Sequence, residues 1–365
     1  MLAPQFFILF ITSSFCFLAY YFGLGNSFIL TLVNKLKKYY NLRMDRIRRL
    51  NIFDKSKLLR MSNVDSYDFK YNIAKEITCG GQIFLPLPMK FLPESFVFER
   101  DGEICGLISV STAHGNPYRI NIKRLLFKGE DYLTGKELIN HTVGYYGELG
   151  AKIFKVIIDN NQKDLESLFV KGCGFRCGSW ENLWDITNDI NRFKEIIPIN
   201  FKNASDGQIK RVSELVNSEL LAYYKPSLEQ YPEEFKSPLL KIFSSEWENS
   251  YILIRSKNVV AYLTIKTTDN KNFVITLIKN NGYRLDYDRI ISFALKTIGS
   301  KRNSSFNAYI RQRKCFKFSD DFEQYLHEHG YECVQTQHVL IKDFYRPVKE
   351  EYKSFIFSEG KLISN

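Results

Sequence analysis

The chain has 365 residues, of which 45% are hydrophobic and 25% are charged. This composition supports a full hydrophobic core and excludes a disordered body, and the length predicts about two domains. The formal net charge of +11 is compatible with an anionic partner such as a nucleotide phosphate, RNA or an acidic membrane surface. Lys/Arg-rich blocks interleaved with aromatic residues are absent from the sequence, so nucleic acid is not an expected partner.

Cysteine and histidine positions do not predict a metal site. The seven cysteines include no CxxC pair. His327 and His329 lie close together, but no neighbouring cysteine completes a zinc-ligand set. We therefore expect no metal cofactor, and we expect the thiols to be reduced.

The N-terminal segment predicts either a membrane anchor or an over-long start. Residues 6–33 are largely apolar, and no charged side chain precedes Lys35. Such a segment is long enough to span a bilayer as a helix, and the lysines that follow it would place the body in the cytoplasm. Alternatively, translation begins at Met44, where the pattern of a folded domain starts, and the protein is then cytoplasmic without an anchor.

The strongest pattern is an internal repeat. Residues 95–108 (SFVFERDGEICGLI) align without a gap with residues 250–263 (SYILIRSKNVVAYL). Each segment has two apolar runs around a short polar turn, which is typical of a β-hairpin. A second match, at nearly the same offset, aligns the segment around Gly174-Phe175 with the segment around Gly330-Tyr331. Glycine there is typical of a helix C-terminus, where a positive φ is needed. The repeat predicts two copies of one mixed α/β fold.

Each copy shows the same order of predicted elements. In copy one these are strand 46–50, helix 54–61, hairpin 95–111, strand 118–127, helix 134–149, strand 153–158, helix 162–171 and strand 180–187. In copy two they are strand 198–202, helix 206–222, hairpin 250–267, strand 272–279, helix 286–298, strand 305–310, helix 319–328 and strand 334–344. The predicted divisions are a hydrophobic segment 1–43, a first domain 44–190, a second domain 196–346 and a tail 347–365.

This order resembles the GNAT superfamily of N-acetyltransferases. Three segments carry the likeness: the hairpin FVFERDGEICGLISV, the helix-to-strand segment GELGAKIFKVIIDNN, and the late helix DLESLFVKGCGFR with its Gly174-Phe175 ending. The resemblance implies two tandem GNAT-like domains, of which the second is degenerate. It also implies acyl transfer from acetyl-CoA or another acyl-CoA to an amine.

The resemblance places the acyl-CoA site at the turn between the central strand and the next helix of copy one. The family has Gln/Arg-x-x-Gly-x-Gly/Ala there, because glycine lets the backbone approach the pyrophosphate at the helix N-terminus. Of this motif only Gly135 is present, and Glu137 replaces the second small residue. Equally, Gly135 could belong to an ordinary turn with Thr134 as N-cap. The implied cofactor-binding residues are Leu126, Phe127, Thr134, Gly135, Lys136 and Asn161.

Catalytic residues are less well defined by the pattern. The family often uses a late-helix Tyr as general acid, but Phe169 or Val170 occupies that position here. Candidate replacements beside the turn are Glu130, Asp131 and Tyr132, since a carboxylate or its bound water could deprotonate an incoming ammonium.

Two other functions remain open. Tandem relatives such as the Fem peptidyltransferases take an aminoacyl group from charged tRNA, which would suit a basic, anchored protein. A catalytically inactive GNAT-like binding module would explain the incomplete phosphate turn. The partners expected from the leading hypothesis are acyl-CoA and a small-molecule or peptide amine. We also expect a positively charged groove between the copies, lined by Lys279, Arg284, Arg311 and Arg313.

Overall fold

The structure is a computed structural model that describes residues 45–54, 57–58, 94–113, 116–128, 131–236, 247–267, 269–301 and 305–344. The predicted N-terminal helix, most of the predicted helix 54–61 and the predicted tail lie outside the described residues. Within the described ranges, no helix is both long enough and apolar enough to cross a bilayer.

The described residues form a mixed α/β fold with twelve strands. The strands are β1 (Arg46–Arg49), β2 (Glu94–Arg100), β3 (Glu103–Ala113), β4 (Asn116–Phe127), β5 (Ile153–Asp159), β6 (Arg176–Asp185), β7 (Lys202–Asn203), β8 (Trp247–Arg255), β9 (Asn258–Thr267), β10 (Asn272–Lys279), β11 (Asn307–Arg313) and β12 (Glu332–Asp343). The α-helices are α1 (Tyr132–Glu148), α2 (Lys163–Ser167), α3 (Ile190–Lys194), α4 (Ile209–Glu219), α5 (Lys225–Leu228), α6 (Tyr287–Lys301) and α7 (Ser319–Glu328). A π-helical turn, Leu168–Gly172, extends α2.

Both predicted hairpins are present and share an irregularity. β2 and β3 are joined at Asp101-Gly102, and β8 and β9 at Ser256-Lys257; all four residues have positive φ, as two-residue hairpin turns require. The register shifts at Phe98/Glu99 in the first hairpin and at Leu253/Ile254 in the second. These positions are equivalent in the sequence repeat, so the two hairpins share the register shift as well as the turn.

The second sequence match also has equivalent geometry in the two copies. Gly174 has φ +71° and Gly330 has φ +72°, each just beyond a helix. Next to them, the Phe175 amide donates to the Phe169 carbonyl and the Tyr331 amide to the Leu326 carbonyl. The predicted glycine C-terminus is therefore confirmed in both copies.

The twelve strands form one continuous sheet in which the two copies interleave. The strand order is β1-β2-β3-β4-β5-β12-β6-β11-β10-β9-β8-β7. By the repeat, β6 and β12 are equivalent, yet β5 of copy one pairs with β12, and β11 of copy two pairs with β6. Each copy's sheet is thus completed by the last strand of the other copy. The division at residues 190–196 separates the copies along the sequence, whereas their strands are shared in space.

Near the strands where the two copies meet, one face of the sheet carries buried apolar side chains and the other carries polar ones. On the first, called the α1 face, Ile120, Phe154 and Ile310 are fully buried. The other is called the α4 face, because α4 packs there on β9 and β10. The α4 face carries Arg119 and Arg313, among other polar side chains that alternate with the buried apolar ones.

Element boundaries differ from the predictions mainly at the ends. β6 begins four residues before the predicted strand 180–187. β7 has only two residues, of which Lys202 alone lies in the predicted strand 198–202. α3 lies in the predicted junction and α5 in a segment without a predicted helix. Both helices are too short to show a clear apolar periodicity.

Candidate functional site

A cleft opens in copy one where β4 and β5 part. The parallel ladder joins residues 119–122 to residues 153–156 and then ends, while β4 continues to Phe127. Between Ile122 and Arg124 the register with β3 shifts, so Lys123 is the additional residue of a bulge. A bulge bends its strand, and the carboxyl ends of parallel strands are where open α/β sheets bind ligands. The β5-facing edge of residues 123–127 has no strand partner within the described ranges.

The helix that follows this cleft is capped by Asp131. Its carboxylate accepts from the Thr134 amide at 3.2 Å and from the Thr134 hydroxyl at 2.8 Å. Arg100 donates to the same carboxylate at 2.9 Å. Burial alone would raise the pKa of Asp131, but these hydrogen bonds and the Arg100 charge outweigh it and hold that pKa below its ordinary value. The N-terminus of α1 therefore already holds a negative charge, at the position where a phosphate would bind.

Thr134 and Gly135 pack α1 onto the sheet. Both are buried. A Cβ atom on Gly135 would lie 2.9 Å from Phe127 Cε1 and 3.0 Å from Leu168 Cδ2. In the same way, a Cβ on Gly106 of β3 would lie 2.7 Å from Thr134 Cγ2. Because Gly135 has no side chain, the Phe127 ring can pack against it. Thr134 was considered as the N-cap, but it is the third residue of α1, and Asp131 is the N-cap.

The remaining predicted site residues fall into two groups. The side chains of Leu126 and Phe127 are buried, and the Tyr132 ring stands edge-on to Phe127 with centroids 5.6 Å apart. Lys136 and Asn161 are exposed, on α1 and just after β5 respectively. Glu130 lies outside the described residues. The cofactor and catalytic roles of these residues stay predictions.

The equivalent opening in copy two is covered by the chain itself. The β10–β11 ladder ends at Thr276 and Arg311, and the β9–β10 ladder runs to Lys279 without a register shift. Glu219, at the end of α4, accepts from the Asn281 amide after β10 and from the Lys317 amide after β11. Copy two therefore lacks both the bulge and the open edge of copy one.

The predicted groove between the copies is present only in part. Arg311 and Arg313 lie on the same face of β11, and both approach the buried carboxylate of Glu181 on β6, with Nε–O distances of 3.6 and 3.2 Å. Lys279 was predicted to join them, but strand alternation places it on the α1 face. There its ammonium lies 3.5 Å from the Asp321 carboxylate. Arg284 is exposed in the loop before α6.

Sequence reasoning missed the residues that complete this charged group. Glu181 lies within the strand segment SWENLW, and Lys155 within IFKVIID. A charged side chain inside an apolar strand costs free energy unless it has a partner or a ligand. Such positions are therefore a signal that the sequence did contain. Among the described residues, no group of three or more His, Cys, Asp or Glu is placed to hold a metal ion.

An acyl-CoA thioester fits the copy-one cleft in part. The open edge of β4 offers backbone N–H and C=O groups that could pair with an amide-containing arm such as pantetheine, as an added strand does. The Asp131 carboxylate opposes a phosphate at the start of α1, while Arg100 and Lys136 supply compensating positive charge nearby.

The arrangement of strands and helices is similar to that of solved GNAT proteins. A tandem GNAT protein from the clavulanic acid biosynthesis pathway is 10% identical, with a TM-score of 0.54 over 82% of this chain and 98% of that chain. A GCN5-related N-acetyltransferase from Sphaerobacter thermophilus is 11% identical, with a TM-score of 0.47 over 82% and 95% of the two chains. A probable N-acyltransferase from Enterococcus faecalis V583 is 10% identical, with a TM-score of 0.48 over 83% and 73%.

No family model matches the sequence, and no curated protein matches it. At 10% identity, the tandem GNAT protein from the clavulanic acid pathway is evidence for the fold alone. The described part of the chain has the tandem GNAT fold.

Proposed function

We propose that this protein is an acyltransferase that binds acyl-CoA in the cleft of copy one and transfers the acyl group to an amine. The observation that carries the proposal is the parting of β4 from β5 beyond Ile122, together with the bulge at Lys123. It leaves a strand edge of five residues open at the carboxyl end of a parallel pair. When bound, acyl-CoA would supply the activated thioester.

Copy one is favoured over copy two by the difference between their openings. In copy two, Leu220 forms a bridge with Phe316, and the Leu221 amide donates to the Cys315 carbonyl. Together with the contacts of Glu219 to the Asn281 and Lys317 amides, they hold the end of α4 against the segments that follow β10 and β11, at the position equivalent to the open edge of copy one. One acyl-CoA per chain is therefore expected.

The contacts of Asp131 favour a capping role over a catalytic one. Both of its carboxylate oxygens accept hydrogen bonds, and its lowered pKa makes it a weak proton acceptor. Tyr132 at the start of α1 and Glu130, which lies outside the described residues, remain the proposed acid–base residues. The backbone N–H and C=O groups of residues 123–127 would orient the acyl-CoA thioester.

A calorimetric titration with acetyl-CoA tests the proposal. Lys136→Glu reverses an exposed charge beside the copy-one cleft, and Arg284→Glu reverses an exposed charge at the equivalent loop of copy two. We expect one acetyl-CoA per chain, with affinity at least about threefold weaker in Lys136→Glu and unchanged in Arg284→Glu. Absence of binding to the wild type, or a loss confined to Arg284→Glu, would overturn the assignment.

A second candidate function is an inactive binding module with the same fold. The observation that favours it is the carboxylate of Asp131 at the start of α1, since a like charge opposes phosphate binding. Hydrolysis and transfer assays with acetyl-CoA and an amine mixture distinguish the two: an acyltransferase consumes the thioester in an amine-dependent manner, whereas a binding module does not. No contact of the described residues favours the use of charged tRNA.

A further inference from the structure

A cavity lies between the α4 face of the sheet and the end of α4, where the two copies meet. About 40 Å³ of its interior is open to the centre of a water-sized molecule, which is room for about three waters, and the cavity has an open mouth. Its sheet side is polar and charged, and its opposite side is mainly apolar. The lining residues on which the argument depends are Arg119, Lys155, Glu181, Arg313, Val216 and Leu220.

The cavity wall carries more positive than negative charge. Arg119 is balanced by the buried Glu234, whose carboxylate accepts at 3.0 Å. Lys155, Arg313 and the adjacent Arg311 then share one carboxylate, that of Glu181. The described residues around this wall therefore leave an excess of two positive charges.

The described residues do not supply hydrogen-bond partners for all of these charged groups. Lys155 has no hydrogen bond or ion pair within hydrogen-bond distance among the described residues, and it is largely shielded from solvent. Oε2 of the buried Glu181 and Nε of Arg313 also lack a hydrogen-bond partner in the described part of the chain. Buried charges and polar atoms without partners are costly, so a wall of this kind is stabilised by a ligand of opposite charge.

We propose that this cavity binds a small organic anion, whose carboxylate or phosphate group is held by Lys155 and Arg313. The apolar side chains of Val216 and Leu220 face the cavity from α4 and the residue after it, so they would contact the ligand's uncharged body. The interior has room for one carboxylate or phosphate group, so the uncharged body of the ligand would lie in the mouth of the cavity. This site is separate from the proposed acyl-CoA cleft and does not depend on it.

The exchange of strands between the copies builds the site. Lys155 is on β5 of copy one, Glu181 is on β6, and Arg313 is on β11 of copy two. Glu181 and Arg313 lie directly opposite each other in the β6–β11 ladder. Were β6 paired with β5 instead, the Glu181 carboxylate would not lie beside Arg313. The site is thus a property of the tandem arrangement rather than of a single GNAT unit.

Binding should depend on pH through Lys155. Burial lowers the pKa of Lys155 to about 8, so its positive charge is present at pH 7 and is lost as the pH rises through this value. The titratable and charged groups that act on Lys155 are Glu181, Arg313, Arg119, Lys123 and Cys315. Of these, only Glu181 is negative at pH 7. Anion affinity should therefore fall above pH 8.

The test measures saturable anion binding at constant ionic strength. The probes are inorganic phosphate and butyrate, titrated into the full chain and followed by calorimetry and thermal shift. Two variants weaken the proposed site: Lys155→Met and Arg313→Gln. A third, Glu181→Gln, removes the competing carboxylate. The control, Lys210→Gln with Arg211→Gln, removes two exposed positive charges from α4 away from the cavity.

We expect at least one probe to bind the wild type saturably. Lys155→Met and Arg313→Gln should each weaken that binding by about tenfold or more, and Glu181→Gln should strengthen it. The control should change it less than about twofold. Stronger binding of butyrate indicates a carboxylate ligand, and stronger binding of phosphate a phosphate ester. Equal affinity in the wild type and Lys155→Met, or no saturable binding of either probe, would overturn the proposal. Lys155→Met removes an ammonium that makes no hydrogen bond to the described residues, so we expect this variant to fold.

Discussion

Glu181 and Arg313 lie opposite each other on neighbouring strands, although one belongs to the first copy of the repeat and the other to the second. The Arg313 Nε is 3.2 Å from the Glu181 carboxylate, and the pair sits in the β6–β11 ladder. Two residues earlier on β11, the Arg311 Nε lies 3.6 Å from the same carboxylate. This ion group exists because the copies exchange their last strands, so it links the tandem architecture to the charged cavity.

Replacing Lys155 by Met should stabilise the protein at neutral pH. Burial lowers the pKa of Lys155 to about 8 in the folded state, whereas an unfolded lysine titrates at about 10.4. Between these values the unfolded state binds more protons, so the free energy of unfolding of the wild type rises as the pH rises. Lys155→Met removes this pH dependence and should raise the free energy of unfolding by about 1–3 kcal/mol at pH 7.

Urea unfolding at several pH values from 7 to 10 measures the effect of Lys155→Met. The exposed Lys171, replaced by Met, serves as control and should leave both the stability and its pH dependence close to those of the wild type. If Lys155→Met keeps the rise in stability above pH 8, another group is responsible for it.

Two glycines of α1 should respond in opposite directions to alanine. In Gly135→Ala the new methyl group would meet Phe127 and Leu168 at 2.9–3.0 Å, which should cost about 1–3 kcal/mol of stability. Gly144 is exposed and nothing lies within 4 Å of its Cβ position. Gly144→Ala should therefore stabilise the helix by about 0.5–1 kcal/mol. Equilibrium denaturation measures both, and equal effects would show that Gly135 does not pack against the ring.

Local patterns predicted the hairpins and the glycine helix ends. An apolar run, a polar turn and a second apolar run specify a hairpin through contacts between neighbours in sequence. The exchange of β6 and β12 was not predictable in this way. These strands are equivalent in the repeat, so either could pair with β5 or β11, and the choice rests on contacts between distant residues, such as the hydrogen bond of Trp184 to Gln312 at 3.0 Å.

In the candidate site, too, the sequence predicted features that depend on neighbouring residues but not those that depend on contacts between distant residues. Gly135 was predicted as a position where the backbone approaches a phosphate, and this role stays a prediction. The sequence could not show that Phe127 and Leu168 pack against Gly135. The roles of Lys155 and Glu181 were missed because apolar neighbours identify them only as strand residues. Their common location follows from the sheet order β5-β12-β6, which depends on strand pairing.

Replacing Asp131 by Asn should strengthen acetyl-CoA binding if the phosphates lie at the start of α1. Asn is as good an N-cap as Asp, so the helix should begin at the same residue, while the negative charge is removed. The expected gain is about two- to tenfold in affinity. Calorimetry compares this variant with Asp286→Asn, which removes the carboxylate that accepts from the Arg289 amide in copy two. A gain confined to Asp286→Asn would move the proposed site to copy two.

Replacing Glu181 by Gln should destabilise the protein through the charges that it leaves behind. Burial opposes the ionised form of Glu181, but Arg313, Arg311 and Lys155 outweigh it and lower its pKa. Removing one partner from a buried ion group leaves the others uncompensated, and a loss of about 2–4 kcal/mol is expected at pH 7. As a control, Glu248→Gln breaks the more exposed ion pair with Lys266, measured at 2.9 Å, and should cost less than about 1 kcal/mol.

The pH and phosphate dependence of Glu181→Gln separate this cause from a simple packing defect. Because the folded-state pKa of Glu181 is lowered, its contribution is complete above the ordinary glutamate value of about 4.3 and is lost as the pH falls through the folded pKa. The difference between wild type and variant should therefore shrink in acid. Phosphate bound in the cavity would replace the missing negative charge, and at 100 times its Kd it adds about 2.7 kcal/mol of stability. In urea denaturation at pH 7, phosphate should therefore raise the free energy of unfolding of Glu181→Gln more than that of the wild type. If the variant were destabilised only by a packing defect, the loss would depend on neither phosphate nor pH.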